Sequence, residues 1–279
     1  MTKISNIQFF PSEEEFKNQV KKSIENCVIG EFMEVVLARK ITGNLVGNPF
    51  EIYENYKKIN PSPYLFYFDL NGEVLLGASP EIMVKCQNRK VTLKPISGTV
   101  RRGENTLEDH INMMNLLNSE KEKAELDMLI DLGRNDLSRI CKAGITIEQY
   151  RSIEKYSHVY HTVAKVSGIL EDEYSGFDAL INCLNAGTLT GAPKIAAMNF
   201  IEEIESHERG YYGGSVGFVL FDGEVNTAIT IRTVHINDGE MNYLTGATLL
   251  CESTPEGELQ ETRIKAAAFM KAIEPFVEE

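Results

Sequence analysis

Two pairs of glutamates, Glu122 with Glu125 and Glu258 with Glu261, are each three residues apart within helix-forming sequence. That spacing puts both carboxylates of a pair on one helix face. Two such helices can clamp a hard cation through oxygen, and Mg²⁺ would keep part of its water shell for a substrate carboxylate or phosphate. With 41 acidic residues in the chain, same-face pairs also arise by chance on solvated faces. Glycines form a second group: Gly187, Gly191, Gly213, Gly214, Gly217 and Gly246 lie in or beside AGTLTGAP, RGYYGG and LTGATL. Bare backbone N–H groups there can approach an anion closely. The same glycines also suit plain turns and bulges, and no Walker pattern or GxGxxG after a strand accompanies them. Arg232 stands among β-branched residues in TAITIRTV, as in a strand, where a cation needs a partner or a ligand carboxylate. His158 and His161 in YSHVYHTV are candidates for acid or base work, or for structural roles. No Ser/His/Asp or Cys/His arrangement points to covalent hydrolysis.

The elements that must position these residues follow from period and punctuation. Ser12 can cap a helix with Glu13, Glu14 and Glu15 in its first turn and Phe16, Val20, Ile24 and Val28 along one face, ended by Gly30. Strand composition marks Glu34 to Thr42, Tyr64 to Asp69, Glu73 to Gly77, Ile82 to Cys86 and Lys90 to Lys94. Helix-forming sequence runs from Thr106 to Asp136 with a break near Asn118-Ser119; its second half places Ala124, Met128, Leu129 and Leu132 on one stripe. Helices are expected at Ser175 to Leu184, at Lys194 to Glu205, and from Pro255 or Glu256 to Ile273. Between the last two, Ser215 to Phe221, Val225 to Asn237 and Met241 to Cys251 are joined by Asp-Gly turns, which predicts a three-stranded antiparallel meander. Strands in runs with helices between the runs make the class α+β. No linker divides the 279 residues, so one domain is expected.

Twenty-eight Lys and Arg against 41 Asp and Glu leave a net charge of −13, which disfavours nucleic acid or an anionic membrane as partner. An anionic substrate must then be met by a few local cations. No apolar stretch approaches the ~18 residues of a spanning helix, and Met1 to Phe10 lacks the apolar core of a signal peptide. The five cysteines are widely spread without a CxxC pair, which suggests reduced, mostly buried thiols and a cytoplasmic protein.

Seven blocks in order, KPISGTVRRG, EKAELDMLIDLGRNDLSRI, YSHVYHTVAKVSG, AGTLTGAPKIAAM, RGYYGGSVGF, TAITIRT and PEGELQETRIKAAA, resemble the signatures of the chorismate-utilising enzymes, most closely anthranilate synthase large subunits. The resemblance covers about Ser12 to Ile273. It implies two antiparallel sheets packed face to face with helices outside. It also implies Mg²⁺-dependent addition of a nucleophile to chorismate, a dianion with an enolpyruvyl ether. On the matching positions, Glu125 and Glu261 would hold Mg²⁺ with Glu122 and Glu258 beside them. Glu81, in GASPE, would protonate the departing C4 hydroxyl, for which it needs a raised pKa in a closed site. Arg232 and Tyr212 would grip the enolpyruvyl carboxylate, with Lys265 nearby. Thr188, Gly98 and Gly246 would contact the ring carboxylate, and His161 would help the later loss of pyruvate.

A few positions separate the activities of this family. Aminodeoxychorismate synthases carry a nucleophilic Lys in the PIxGT block, where Ser97 stands here. Isochorismate and salicylate synthases place a Lys base before VVLA; that position is Glu34 here, where anthranilate synthases usually have Gln. Ammonia is then the implied nucleophile, supplied free or by a separate glutamine amidotransferase subunit, since no glutaminase triad is present. Leu126 for a common His, Asn185 for a Pro and Thr248 for the second Gly of GAG depart from the anthranilate pattern. Ser97 and Thr248 also resemble enzymes that stop at 2-amino-2-deoxyisochorismate. A subunit that binds chorismate without turnover is the non-enzymatic reading. The N-terminal region of such large subunits, with most of their tryptophan site, has no counterpart here, although NPSPYLF resembles the remainder of that site. The expectation is therefore no tryptophan inhibition, and sheet edges left for a partner chain or a homo-oligomer.

Overall fold

Ser12 caps the first helix as its neighbours predict: its side chain accepts from Glu15 N, and the Glu15 carboxylate accepts from Ser12 N at 2.9 Å. Gly30 ends the helix at φ +86°, a left-handed conformation that glycine adopts without a Cβ penalty. The structure, a computed structural model, describes residues 2–156 and 159–278. The strands are β1 (Lys3–Phe10), β2 (Glu34–Val46), β3 (Tyr64–Leu70), β4 (Glu73–Ser79), β5 (Ile82–Gln87), β6 (Lys90–Leu93), β7 (Ile96–Arg101), β8 (Thr146–Lys155), β9 (Val159–Ile169), β10 (Gly191–Ala192), β11 (Ser215–Val219), β12 (Val225–Ile229), β13 (Thr233–Asn237) and β14 (Glu240–Leu249). The helices are α1 (Glu13–Ile29), α2 (Pro49–Ile59), α3 (Thr106–Asn118), α4 (Glu120–Ser138), α5 (Gly176–Cys183), α6 (Gly187–Thr190), α7 (Lys194–Ile204) and α8 (Pro255–Ile273). The α+β class and two antiparallel sheets stand as expected.

The chain divides into two compact units. The first comprises Met1–Pro80, Thr188–Ser215 and Ile229–Glu279 and holds the sheet β1-β2-β14-β13-β4-β3, with β10 also on β2. Its long pairing of β14 with β2 runs from Glu240 opposite Asn44 to Leu249 opposite Val35. Alternation along these strands buries Ile41, Leu45, Met241 and Tyr243 against α2 and α8, where Tyr243 stacks on Phe269 with ring centroids 4.2 Å apart. Farther along the same strands Val35, Leu37, Ala247 and Leu249 join Phe16 and Val20 of α1 and Ala197 and Ile201 of α7. Truncating a fully buried ring such as Phe269 costs about 3–5 kcal/mol.

The second unit comprises Glu81–Gly187 and Val216–Ala228 and holds the sheet β11-β12-β5-β6-β9-β7, with β8 also on β9. Helix α4 packs on β9 and β7. It buries Leu126, Leu129, Ile130, Gly133, Asp136 and Leu137, so its inward stripe differs from the expected one: Ala124 is exposed, and Met128 and Leu132 are only half-buried. Ser119 ends α3 and caps α4, its side chain accepting from Glu122 N at 3.3 Å, which explains the expected break.

The expected meander is two hairpins. Val225 to Asn237 is not one strand: β12 pairs with β5, whereas β13 pairs with β14 and β4. The turn between them is at Arg232, with φ +51°. Its β-branched surroundings carry no glycine or proline to mark the break, so composition alone reads as continuous strand. The elements β1, α2, β7, β8 and β9 were also absent from the expected set. Of β1 only Ile4 is fully buried, so it lacks a clean alternation, whereas α2 does carry a helical signal, with Ile52 and Tyr56 buried four apart behind the Asn48 cap.

Candidate active site

In the second unit, Gly98 lies in β7 at φ +69°. A Cβ there would stand 2.6 Å from Leu116 Cδ1 and 2.7 Å from Glu122 Oε2, so both conformation and space demand glycine. The neighbouring Ser97 is buried and its hydroxyl donates to Glu122 O at 3.1 Å, with Oε2 at 3.3 Å. Helix α4 thus brings the first glutamate of its pair against β7, and Glu125 follows one turn on, half-buried. Strand register places Thr99 opposite His161, whose Nδ1 is 2.9 Å from Thr99 Oγ1 and 3.3 Å from Gly98 O. The carbonyl only accepts and the Thr99 hydroxyl can accept or donate, so a proton on Nδ1 satisfies both contacts. The Tyr156 ring meets the His161 ring edge-on with centroids 5.4 Å apart. The Tyr156 hydroxyl donates to Glu154, and burial followed by that carboxylate pushes its pKa up to about 12, which keeps it protonated. Glu81 is 8% exposed, immediately before β5. His158 lies outside the described residues.

In the first unit, Gly246 on β14 pairs with Ala38 on β2, and a Cβ at Gly246 would meet Tyr212 Oη at 2.5 Å. The glycine is what admits the tyrosine. Lys265 of α8 donates to Gly246 O at 3.0 Å and lies 3.4 Å from Glu261 Oε1, four residues earlier on the same helix. Glu258 stands one turn before Glu261, and both are half-buried. Thr254 caps this helix and accepts from Gly257 N at 3.2 Å. Arg232 is half-buried at the turn between β12 and β13 rather than within a strand. Burial raises the pKa of the Tyr56 and Tyr243 phenols, and the Arg232 charge opposes that rise, which places a cation close to two buried hydroxyls. Thr188 Oγ1 is buried without a hydrogen-bond partner among the described residues. Glu34 opens β2 and is 1% exposed.

The expected residues therefore gather in two sets. Glu81, Gly98, Glu122, Glu125 and His161 belong to the second unit, and Glu34, Thr188, Tyr212, Arg232, Gly246, Glu258, Glu261 and Lys265 to the first. Among the described residues, no group of three or more His, Cys, Asp or Glu side chains forms a metal centre. What each unit offers is a pair of carboxylates on one helix. Hard oxygen donors of this kind suit Mg²⁺ rather than a softer metal. Two residues near the site escaped the sequence reading. Thr99 is found only through strand register. Arg209 lies within RGYYGG and four residues after Glu205, but α7 ends at Ile204, so helical spacing does not explain their pairing.

The chain is 43% identical over 264 residues to anthranilate synthase component 1 of Aquifex aeolicus, covering 94% of this chain and 53% of that protein. It is 41% identical to the Thermus thermophilus protein of the same name, covering 94% of this chain and 57% of the other. The crystal structure of anthranilate synthase component I from Streptococcus pneumoniae matches with TM-score 0.87 and 35% identity, over 95% of this chain and 59% of that one. The menaquinone-specific isochorismate synthase MenF of Escherichia coli shares the fold, with TM-score 0.88 at 20% identity over 98% of this chain and 63% of that one. The chain thus spans about half the length of the curated relatives it matches. With residues 2–271 matched by the family described as chorismate binding enzyme, nearly the whole sequence is accounted for, and the chain belongs to that family.

Proposed function

We propose that the chain catalyses Mg²⁺-dependent amination of chorismate at C2 with loss of the C4 hydroxyl, then elimination of pyruvate to give anthranilate. In this reading residues 1–279 act as one chorismate-binding catalytic domain. The observation that carries it is His161, a buried imidazole set beside Gly98 and Thr99, which supplies a base that pyruvate elimination can use. The relatives named anthranilate synthase component 1 support the same choice.

Arg232 and Tyr212 grip the enolpyruvyl carboxylate, with the Lys265 charge beside them, while Thr188, Gly98 and Gly246 contact the ring carboxylate. Glu125 and Glu261 would hold Mg²⁺, with Glu122 and Glu258 beside them, and the chemistry supplied there would be neutralisation of the ring carboxylate, which would make the ring a better electron sink. Glu81 protonates the C4 hydroxyl, which leaves as water while the nitrogen lone pair of ammonia forms the C2–N bond and the added amine sheds its surplus proton. His161 Nε2 then takes the C2 proton and the C3–O bond breaks. The ring becomes aromatic, and the released enolpyruvate takes up a proton to become pyruvate. The Ser97 hydroxyl is committed to Glu122, which disfavours a covalent role for it. Glu34 stands where related enzymes keep a Lys base for water; as a buried residue at the start of β2 it belongs to the shell that sets nucleophile choice.

Glutamine-derived ammonia would come from a separate amidotransferase chain, and free ammonia would substitute in vitro. Five free cysteines, four of them buried, suit a reducing cytoplasmic compartment, and no helix among the described residues is long and apolar enough to cross a membrane. A second reading, arrest at 2-amino-2-deoxyisochorismate with pyruvate retained, is favoured by Thr248, a half-buried residue on β14 opposite Val36, where the anthranilate pattern has glycine.

Chorismate, Mg²⁺ and an ammonium salt are incubated with the chain and the products resolved by mass spectrometry. Anthranilate with pyruvate is expected. An amino adduct that retains pyruvate selects the second reading, isochorismate makes water the nucleophile, and no product favours binding alone. Glu261→Gln is expected to abolish turnover, and unchanged turnover would sink the metal assignment.

A further inference from the structure

The edge of β2 that faces away from β14 is covered in two pieces. β10 pairs with it at Glu34 and Val35, and β1 pairs with it from Lys40 to Val46. Between them, among the described residues, no strand pairs with residues 36–39 on that edge, and side chains meet two of its polar groups. Val36 O accepts from Arg209 Nη2 at 2.7 Å, and Ala38 N donates to Glu205 Oε1, also at 2.7 Å. A donor and an acceptor from two side chains thus occupy the place of a strand's backbone. The two side chains also bind each other, Arg209 Nη2 to Glu205 Oε1 at 2.6 Å and Nε to Oε2 at 2.8 Å, a two-pronged guanidinium–carboxylate pair. The Glu205 side chain is 2% exposed and that of Arg209 18%.

This pair touches the segments that carry Thr188 and Tyr212, and the strand position opposite Gly246. Arg209 Nη1 donates to Leu189 O at 2.7 Å, next to Thr188. Tyr212 N donates to Arg209 O at 2.9 Å, and the guanidinium carbon lies 5.8 Å from the Tyr212 ring centroid. Ala38, held by Glu205, is the register partner of Gly246, the residue that admits the Tyr212 hydroxyl. We infer that Glu205 and Arg209 are positioning residues that close the gap in the β2 edge with their side chains and thereby fix Tyr212 against Gly246 for substrate binding.

This inference rests on the chorismate reading of the site and concerns binding rather than bond making. Arg209→Lys keeps the charge but loses the planar fork. The expected result is a rise in KM for chorismate on the order of ten- to a hundredfold with kcat little changed, as for a displaced binding group. A cycle with Tyr212→Phe separates positioning from general support. If the pair acts through Tyr212, the double variant is no worse than the poorer single one, and fully additive losses overturn the inference. Glu205→Gln is the companion variant, expected to reproduce the KM effect. If both Arg209→Lys and Glu205→Gln fail to fold, as judged by thermal melting, the pair is a stability element and the inference is overturned. Wild-type chain that neither binds nor turns over chorismate defeats the site assignment. Wild-type chain that binds chorismate no better than Arg209→Lys defeats the positioning role alone.

Discussion

His161 shows how one strand register sets the surroundings of one ring. Because β7 and β9 pair with Thr99 opposite His161, Nδ1 lies against Thr99 Oγ1 and the Gly98 carbonyl. Replacing the ring should leave amination intact and stall the elimination: His161→Ala is expected to accumulate an amino adduct that retains pyruvate, with anthranilate formation down by roughly 10²–10⁴-fold. Mass spectrometry of the products checks this, and anthranilate formed at the wild-type rate would remove His161 from the mechanism. Gly98→Ala should lower stability by about 1–3 kcal/mol, since it adds a Cβ at φ +69° against Glu122 and Leu116. At this scale the glutamate pairs are legible because helical spacing is a local property. Glu205 and Arg209 are not, because the place they fill exists only once three strands have met on β2.

Elements were legible where period and caps agree. α1, α5, α7 and α8 lie within a residue or so of their expected bounds, and Ser119 marks the junction of α3 with α4. The strands β7 to β9 escaped because β9 is buried along nearly its whole length and β8 is exposed in its first half, so neither alternates cleanly. β8 is held to its neighbours by charge as well as by its ladder. Glu148 bridges Lys165 and Lys90 and accepts from Ser167 Oγ at 2.6 Å, and these partners, Lys165 first, pull its pKa down to about 2. Arg102, then Tyr160 and Gly103 N, likewise hold Asp109 well below the usual carboxylate range. A depressed carboxylate contributes stability that is fully present above its unfolded value, near 4.5 for Glu148, and is lost as pH falls towards 2. The melting temperature is expected to fall across that window and to fall less steeply in Glu148→Gln; parallel profiles would show that the bridge contributes nothing. Solvent around the partly exposed carboxylate keeps the effect modest.

On the scale of the whole chain, four strands carry the charge that discourages edge-to-edge association: Lys3 on β1, Asp69 on β3, Arg101 on β7, and Glu148, Arg151, Glu154 and Lys155 on β8. β11, at one end of its sheet, has none. Phe218 and Val219 there, and Leu220 and Phe221 directly after it, are all exposed. Antiparallel pairing of this neutral strand with its copy meets no like charge, so self-association that rises with concentration is expected, and Val219→Lys is expected to reduce it. Light scattering coupled to size exclusion decides, and a wild-type chain that is monomeric throughout contradicts the expectation. The net charge of −13 opposes close approach elsewhere, which leaves this strip as the favoured contact.

The pairing of β2 with β14 also has a consequence in time. β2 ends at Val46 and its principal partner begins at Glu240, nearly two hundred residues later. At ribosomal speeds of ~5–20 residues per second, β2 emerges roughly 10–40 s before the strand that completes it. During that interval Val35, Leu37 and Ile41 have neither β14 nor α8 to cover them. The nascent chain therefore depends on α1, already made, or on a chaperone to shield the strand until the last third of the sequence arrives.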